Sequence, residues 1–148
     1  MLSRKNLIQS SAVALTTFAT ANSLFGQSHS DHKMPTSSAK NKYSKAMMAA
    51  LHCTLAADIC INHCINELAK GDKMLAACLK TASETKAACE SFIKLASMES
   101  SYTKKMATLC VEICKSCEAE CKKHAEHHQT CKDCMESCKA CIKEMSVI

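Results

Sequence analysis

Glycine, proline and aromatic residues are nearly missing from this chain. Among 148 residues there are 2 glycines, 1 proline and no tryptophan, and aromatics make up 3%. So few turn formers exclude an all-β fold, which needs a tight turn every few residues. So few large side chains exclude an ordinary hydrocarbon core. The formal net charge is only +5, and its lysines alternate with glutamates as they do on solvated helix faces. The arginine-and-aromatic pattern of a nucleic-acid binder is also missing. Alanine, methionine, lysine and glutamate dominate instead, and all favour helix. The length suits one domain.

Against those absences stands an excess of 13 cysteines. An odd count forbids complete internal pairing. The two common meanings of such a count are a disulfide framework and metal binding. Eight of the cysteines form two runs, Cys110, Cys114, Cys117, Cys121 and Cys131, Cys134, Cys138, Cys141, separated by KKHAEHHQT. At about 100° per helical residue, each set of four falls within an arc of about 60–80°. Each run therefore carries a stripe of thiols where an ordinary helix carries leucine. Helical neighbours three or four apart hold their Cβ atoms about 5–6 Å apart, whereas a disulfide wants about 3.5–4.5 Å. Pairing within a stripe is strained; pairing between helices is open.

Residues 1–21 read as an export leader. Arg4 and Lys5 begin it, an uncharged apolar run from Leu7 to Ala21 follows, and Ala19-Thr20-Ala21 offers a cleavage site that would leave Asn22 first. The run is too short and too polar for a stable membrane span. Ser3-Arg4-Lys5-Asn6-Leu7-Ile8 resembles a twin-arginine signal with Lys in the second arginine position; the general secretory route is the alternative. Export would place the protein in the periplasm, and a leader that does not act would leave it in the cytoplasm. Residues 22–42 read as a flexible linker, in which His29, His32 and Met34 offer a loose metal-collecting set.

The spacing predicts four helices within residues 43–148. The first runs from Tyr43 to Lys70, with Ala46, Ala50, Cys53, Ala57, Cys60, Cys64 and Leu68 inward. Gly71 ends it and Asp72 caps the second helix, which carries Leu75, Cys78, Ala82, Thr85, Cys89, Phe92 and Ala96 on one face. Ser100 or Ser101 caps the third, from Tyr102 to about His124. Thr130 and Asp133 have the capping-box spacing for the fourth, which ends near Met145. Short connections imply an all-α, antiparallel up-down-up-down four-helix bundle with a cysteine-lined core. One end then gathers His63, Cys64, Met74, Cys78, Cys121, His124 and Cys131. The other gathers Met47, Met48, His52, Cys53, Cys89, Met106, Cys110, Cys141 and Met145, while Cys60, Cys114, Cys117, Cys134 and Cys138 lie between. The methionines at the second end read as core filler, and His124, His127 and His128 as a solvated turn.

Thiols bury little apolar area, so something else must fill and hold such an interior. Cu(I) suits it: thiolates select it, two or three sulfurs satisfy it, and one thiolate can bridge two ions. One ion per thiolate cancels the charge and avoids the cost of isolated buried ions. Zinc prefers closed sites of four ligands, whereas the stripes offer many pairs and no isolated set of four. Iron–sulfur clusters also want sets of four.

The Cys-x-x-x-Cys and Cys-x-x-Cys steps on two helices around a His-rich turn resemble the bacterial four-helix-bundle copper storage proteins, the exported branch most closely. Asn62-His63-Cys64, the interval from Cys78 to Cys89 and the stretch from His32-Lys33-Met34 onward share the likeness. The resemblance implies that Cys53, Cys60, Cys64, Cys78, Cys89, Cys110, Cys114, Cys117, Cys121, Cys131, Cys134, Cys138 and Cys141 hold many Cu(I) ions. It implies that His63 lies at an open mouth with Met74, which is offset by one residue from a family methionine. Lys70 and its neighbours lack the other mouth methionines. It also implies association of bundles into larger oligomers. The expected function is copper storage or sequestration, not catalysis. The alternatives are a disulfide-stapled exported helical module, a zinc protein, or a redox protein using Cys114–Cys117 or Cys131–Cys134; no βαβ pattern surrounds those pairs.

Overall fold

The computed structural model describes residues 41–148. The expected leader and nearly all of the expected linker, residues 1–40, lie outside the described residues. Four helices follow in order: α1 (Ser44–Ala69), α2 (Ala76–Ser97), α3 (Thr103–Lys122) and α4 (Gln129–Met145). A 3-10 turn, Lys73–Leu75, leads into α2. Each helix packs against two neighbours, α1 against α2 and α4, and α3 against the same two. With short connections this is the antiparallel up-down-up-down bundle that the spacing implies.

The helix ends show why connections so poor in glycine suffice. At the end of α1 the Asp72 N–H donates to the Glu67 carbonyl (3.1 Å) and the Gly71 N–H to that of Leu68 (3.0 Å). This paired closure requires a left-handed residue, and Gly71 supplies it at φ 101°. The Asp72 carboxylate then accepts from the Met74 N–H at 3.0 Å and starts the next turn. The same closure ends α2: Ser100 N–H to Leu95 carbonyl and Glu99 N–H to Ala96 carbonyl, both 3.0 Å. There the left-handed residue is Glu99, at φ 49°. A side chain in that conformation costs about 1–2 kcal/mol, yet the closure forms because it satisfies carbonyls that would otherwise be orphaned. The Thr103 hydroxyl, donating to the Leu95 carbonyl at 3.1 Å, pins α3 to the end of α2.

The start of α4 departs from expectation. No Thr130–Asp133 capping box forms. The helix begins two residues earlier, with His128 in the N-cap position. Thr130 lies inside it and its hydroxyl makes no hydrogen bond, while Asp133 accepts from the Gln129 side chain at 2.7 Å. His128 sets the start because its carbonyl accepts from both Cys131 and Lys132 (3.0 and 3.1 Å).

The inward positions of α1 and α2 are as the periodicity predicts, except that Leu68 is only half buried. The core holds little hydrocarbon. Phe92 and Leu75 are its largest fully buried residues, one toward each end of α2. Around them the interior is alanine, threonine and cysteine, whose small side chains let the helices approach closely. By length and composition α1 is apolar enough to cross a membrane. Its Cys53, Cys60 and Cys64 nevertheless face the bundle interior.

The two left-handed positions give a paired expectation. Gly71→Ala should lower stability by about 1 kcal/mol, from backbone strain alone, since nothing lies within 4 Å of an added Cβ. Glu99→Gly should raise it by up to about 1 kcal/mol. Urea unfolding midpoints of the two variants check both signs.

Candidate metal centre

All thirteen cysteines are free and buried, with no exposed surface. The three- and four-residue steps aim every sulfur at the bundle axis, and antiparallel packing then brings the four stripes into contact. Cys78 and Cys121 lie 3.5 Å apart, sulfur to sulfur. Cys89 and Cys110 are at 3.6 Å, Cys60 and Cys78 at 3.7 Å. Cys53 and Cys138 and Cys117 and Cys134 are both at 3.8 Å. Cys117–Cys121, at 3.8 Å, is a close pair within one helix. These separations are far beyond the bond of about 2.03–2.05 Å in a disulfide. With metal–sulfur bonds of about 2.3 Å, ligands sharing a three- or four-coordinate ion sit about 3.8–4.0 Å apart. The thiols already stand at that spacing; a linear two-ligand ion would need them wider.

The sulfurs gather into groups whose members all lie within 4.8 Å of one another: Cys53, Cys89, Cys114 and Cys141 at one end; Cys60, Cys64, Cys78 and Cys131 at the other; and, between them, Cys60 with Cys121 and Cys134, and Cys117 with Cys134 and Cys138. Two sets of four therefore exist, which the stripes taken singly do not reveal, because each set draws on more than one helix. Neither set is isolated. Cys60 belongs to a quartet and to a trio, and Cys53 and Cys89 touch Cys138 and Cys110 outside theirs. Cys60 and Cys114, expected at mid-height, join the end groups.

Shared protons run through this array. Hydrogen bonds from Cys114 and Cys138 pull Cys53 down to about 5 from the usual thiol value of 9.0. Cys121, followed by Cys60 and Cys64, pulls Cys78 down to about 4. Cys110, with Cys53 and Cys89, pulls Cys141 down to about 5. Cys131 and Cys134 are lowered too, chiefly by Cys60 and by Cys117. The proton-holding partners move up: Cys60 through Cys121, Cys89 through Cys110, Cys121 through Cys117 and Cys138 through Cys114. Burial opposes ionisation throughout.

The His-rich turn is less solvated than its sequence suggests. His128 Nδ1 lies 2.8 Å from His63 Nε2, tying the α3–α4 turn to α1. His124 is only 8% exposed. Its Nε2 lies 3.5 Å from a Glu120 carboxylate oxygen and makes no hydrogen bond. His127 is exposed. Three histidines thus sit at the Cys60–Cys64–Cys78–Cys131 end, where the sequence placed His63 and His124 and named only His63 as a ligand. The i, i+4 spacing of His124 and His128 was the available signal. Met74 is 76% exposed, on the turn between α1 and α2. At the opposite end Met145 is buried and its sulfur lies 3.8 Å from Cys141; Met47 and Met106 pack partly buried against the core, and Met48 is exposed.

A helical bundle whose interior is a continuous run of reduced thiols is a container for soft cations. Residues 39–147 match the family model described as "Copper storage protein", and the chain belongs to that family. It is 29% identical over 104 residues to the "Uncharacterized cysteine-rich protein YhjQ" of Bacillus subtilis, covering 70% of this chain and 93% of that protein. Among solved structures it is similar to the Cu(I)-bound copper storage protein BsCsp3, at 27% identity and TM-score 0.66, over 72% of this chain and 97% of that one. A cytosolic copper storage protein from Streptomyces lividans, solved with five coppers, is similar at 25% identity and TM-score 0.65, over 71% and 89% of the two chains.

Above pH 9.0 the unfolded thiols ionise while Cys60, Cys89, Cys121 and Cys138 keep their protons, so their contribution to stability is lost as pH rises past that value. Cys53, Cys78 and Cys141 contribute above 9.0, and that contribution is lost as pH falls toward about 5 and 4. The reduced, metal-free bundle should resist urea best near pH 9 and weaken on both sides. A flat midpoint from acid to alkaline pH would contradict the shared-proton arrangement.

Proposed function

We propose that this protein stores Cu(I) in its core, with all thirteen cysteine sulfurs as ligands and with His63, His128 and Met74 around the mouth. The observation that carries the reading is the run of buried sulfurs from end to end, in overlapping groups whose members lie within 4.8 Å of one another, joined further by the Cys53–Cys138 and Cys89–Cys110 contacts. Among the described residues the buried polar groups are Thr85, Thr103 and His124, so no buried lysine balances ionised thiols. Zn²⁺ in each set of four would leave a local charge of about −2 with nothing to offset it. One Cu(I) per thiolate leaves none, and bridging sulfurs let the sets merge. Loading displaces protons, because the ligand is the thiolate. Ions held this way are kept from peroxide and from the metal sites of other proteins, and remain available to a consumer. The role is storage, with no catalytic step.

Residues 1–21 support placement of the protein in the periplasm, and residues 22–42 serve as a linker to the bundle of residues 43–148. The similarity to a cytosolic relative concerns the bundle and leaves the leader as the deciding feature. Association of bundles is supported by Met48, Leu51, Leu55, Ile59 and Ile65. These lie about half exposed along one side of α1, with the Asp58–Lys86 pair at their edge.

Anaerobic titration of the reduced protein with Cu(I) against a competing chelator should saturate near one ion per cysteine, with little change in far-UV circular dichroism; saturation at one or two ions rejects storage. N-terminal sequencing of the protein from a periplasmic fraction should begin at Asn22, and an intact Met1 there rejects cleavage.

A further inference from the structure

The end of the bundle away from the histidines is closed by hydrocarbon. Ala46, Ala50, Phe92, Ala96 and Ala107 are buried there. One residue of this plug breaks its chemistry. Met145, the last residue of α4, is 3% exposed, and its thioether sulfur lies 3.8 Å from the Cys141 thiol. Cys141 belongs to the quartet with Cys53, Cys89 and Cys114. On its other side Met145 lines a surface cavity of about 430 Å³, together with Lys104, Ala107, Val111 and Ile148. One side chain thus connects the deepest thiol set to a solvent-facing hollow. Met47 and Met106 pack against the same core, but no sulfur contact ties them to a cysteine.

We propose that Met145 is a second gate, passing Cu(I) between the Cys53–Cys89–Cys114–Cys141 set and solvent at the end opposite the histidines. This rests on the reading that the thiols hold Cu(I). The chemistry favours a thioether for the task. It is a soft ligand for Cu(I) but carries no charge, so it binds more weakly than a thiolate and does not trap the ion. Thioether rotors are also flexible, and methionine can swing its sulfur from thiol to cavity without moving the helix. The step is a ligand exchange with no change of oxidation state. The Cu(I)–sulfur bond to Cys141 breaks as one to Met145 forms, and a proton from water takes the place of the ion on the Cys141 sulfur. The C-terminal end of α4, with its partial negative charge, favours the cation during passage. Without such a gate, ions at this end leave only past the whole array, a path of about 17 Å along α2 from the level of Cys89 to that of Cys78.

The test uses the whole mature protein loaded anaerobically, with copper content measured first so that equal loads are compared. Excess bathocuproine disulfonate then withdraws the metal. Met145→Leu, which keeps the side-chain volume and removes the sulfur, should slow withdrawal several-fold. In protein carrying ¹³C-methyl methionine, the Met145 methyl resonance should shift as Cu(I) fills the core. Withdrawal by Met145→Leu at the wild-type rate overturns the gate. So does a Met145 methyl resonance that stays in place while the core fills, and that measurement decides the matter should the variant fold poorly. Wild-type protein that accepts only one or two ions removes the storage reading itself, which is distinct from an unchanged rate at full load.

Discussion

Sulfur replaces hydrocarbon inside this bundle, and the balance of charge among the sulfurs shapes the whole molecule. A thiol buries little apolar area, so a core made of thiols does not hold four helices together as leucine does. Alanine and cysteine instead allow close approach, and Phe92 and Leu75 supply fully buried hydrocarbon. The remaining stabilisation has to come from groups that attract sulfur: neighbouring thiols sharing protons when the bundle is empty, and soft cations when it is filled. The closest sulfur contacts, at 3.5–4.0 Å, are near the spacing that a three- or four-coordinate ion asks of its ligands.

The two ends of the array are chemically different. Imidazoles from α1 and the α3–α4 turn crowd over one end, held by the His63–His128 contact. Alanine, Phe92 and methionine cover the other. Imidazole is a borderline ligand and thioether a soft one, so the two ends offer different donor sets to a soft cation. The thiols between are graded by no such difference. They form overlapping sets, with Cys60 and Cys134 each shared between two groups.

The helical spacing of the cysteines made the fold and the inward faces legible. Ala46, Ala50, Cys53, Ala57, Cys60 and Cys64 on α1, and Leu75, Cys78, Ala82, Thr85, Cys89, Phe92 and Ala96 on and before α2, are all buried. The period of 3.6 residues belongs to the backbone, so a stripe of one residue type is readable without coordinates. The connections were less legible. Gly71 announces its left-handed turn, but Glu99 takes the same role with no signal in its residue type. The carbonyls it leaves satisfied belong to residues whose exposure only the packed helix end determines. The Thr130–Asp133 spacing likewise suggested a start that the structure moves to His128, whose side chain makes no cap and reaches His63 on another helix instead.

By itself, the order of residues determined that four helices form, that each presents sulfur on one side, and that the paired stripes suit a soft univalent ion. Those properties are local, set by periodicity and by the chemistry of one side chain. Only the tertiary structure decided which sulfurs share a site, that two sets of four arise yet stay joined, and that His63 meets His128 across two elements. Each of these depends on the relative height of side chains on helices that the chain connects from afar or on the exact turn at which a helix starts. A shift of one residue rotates a side chain by about 100°, and spacing alone does not fix that register.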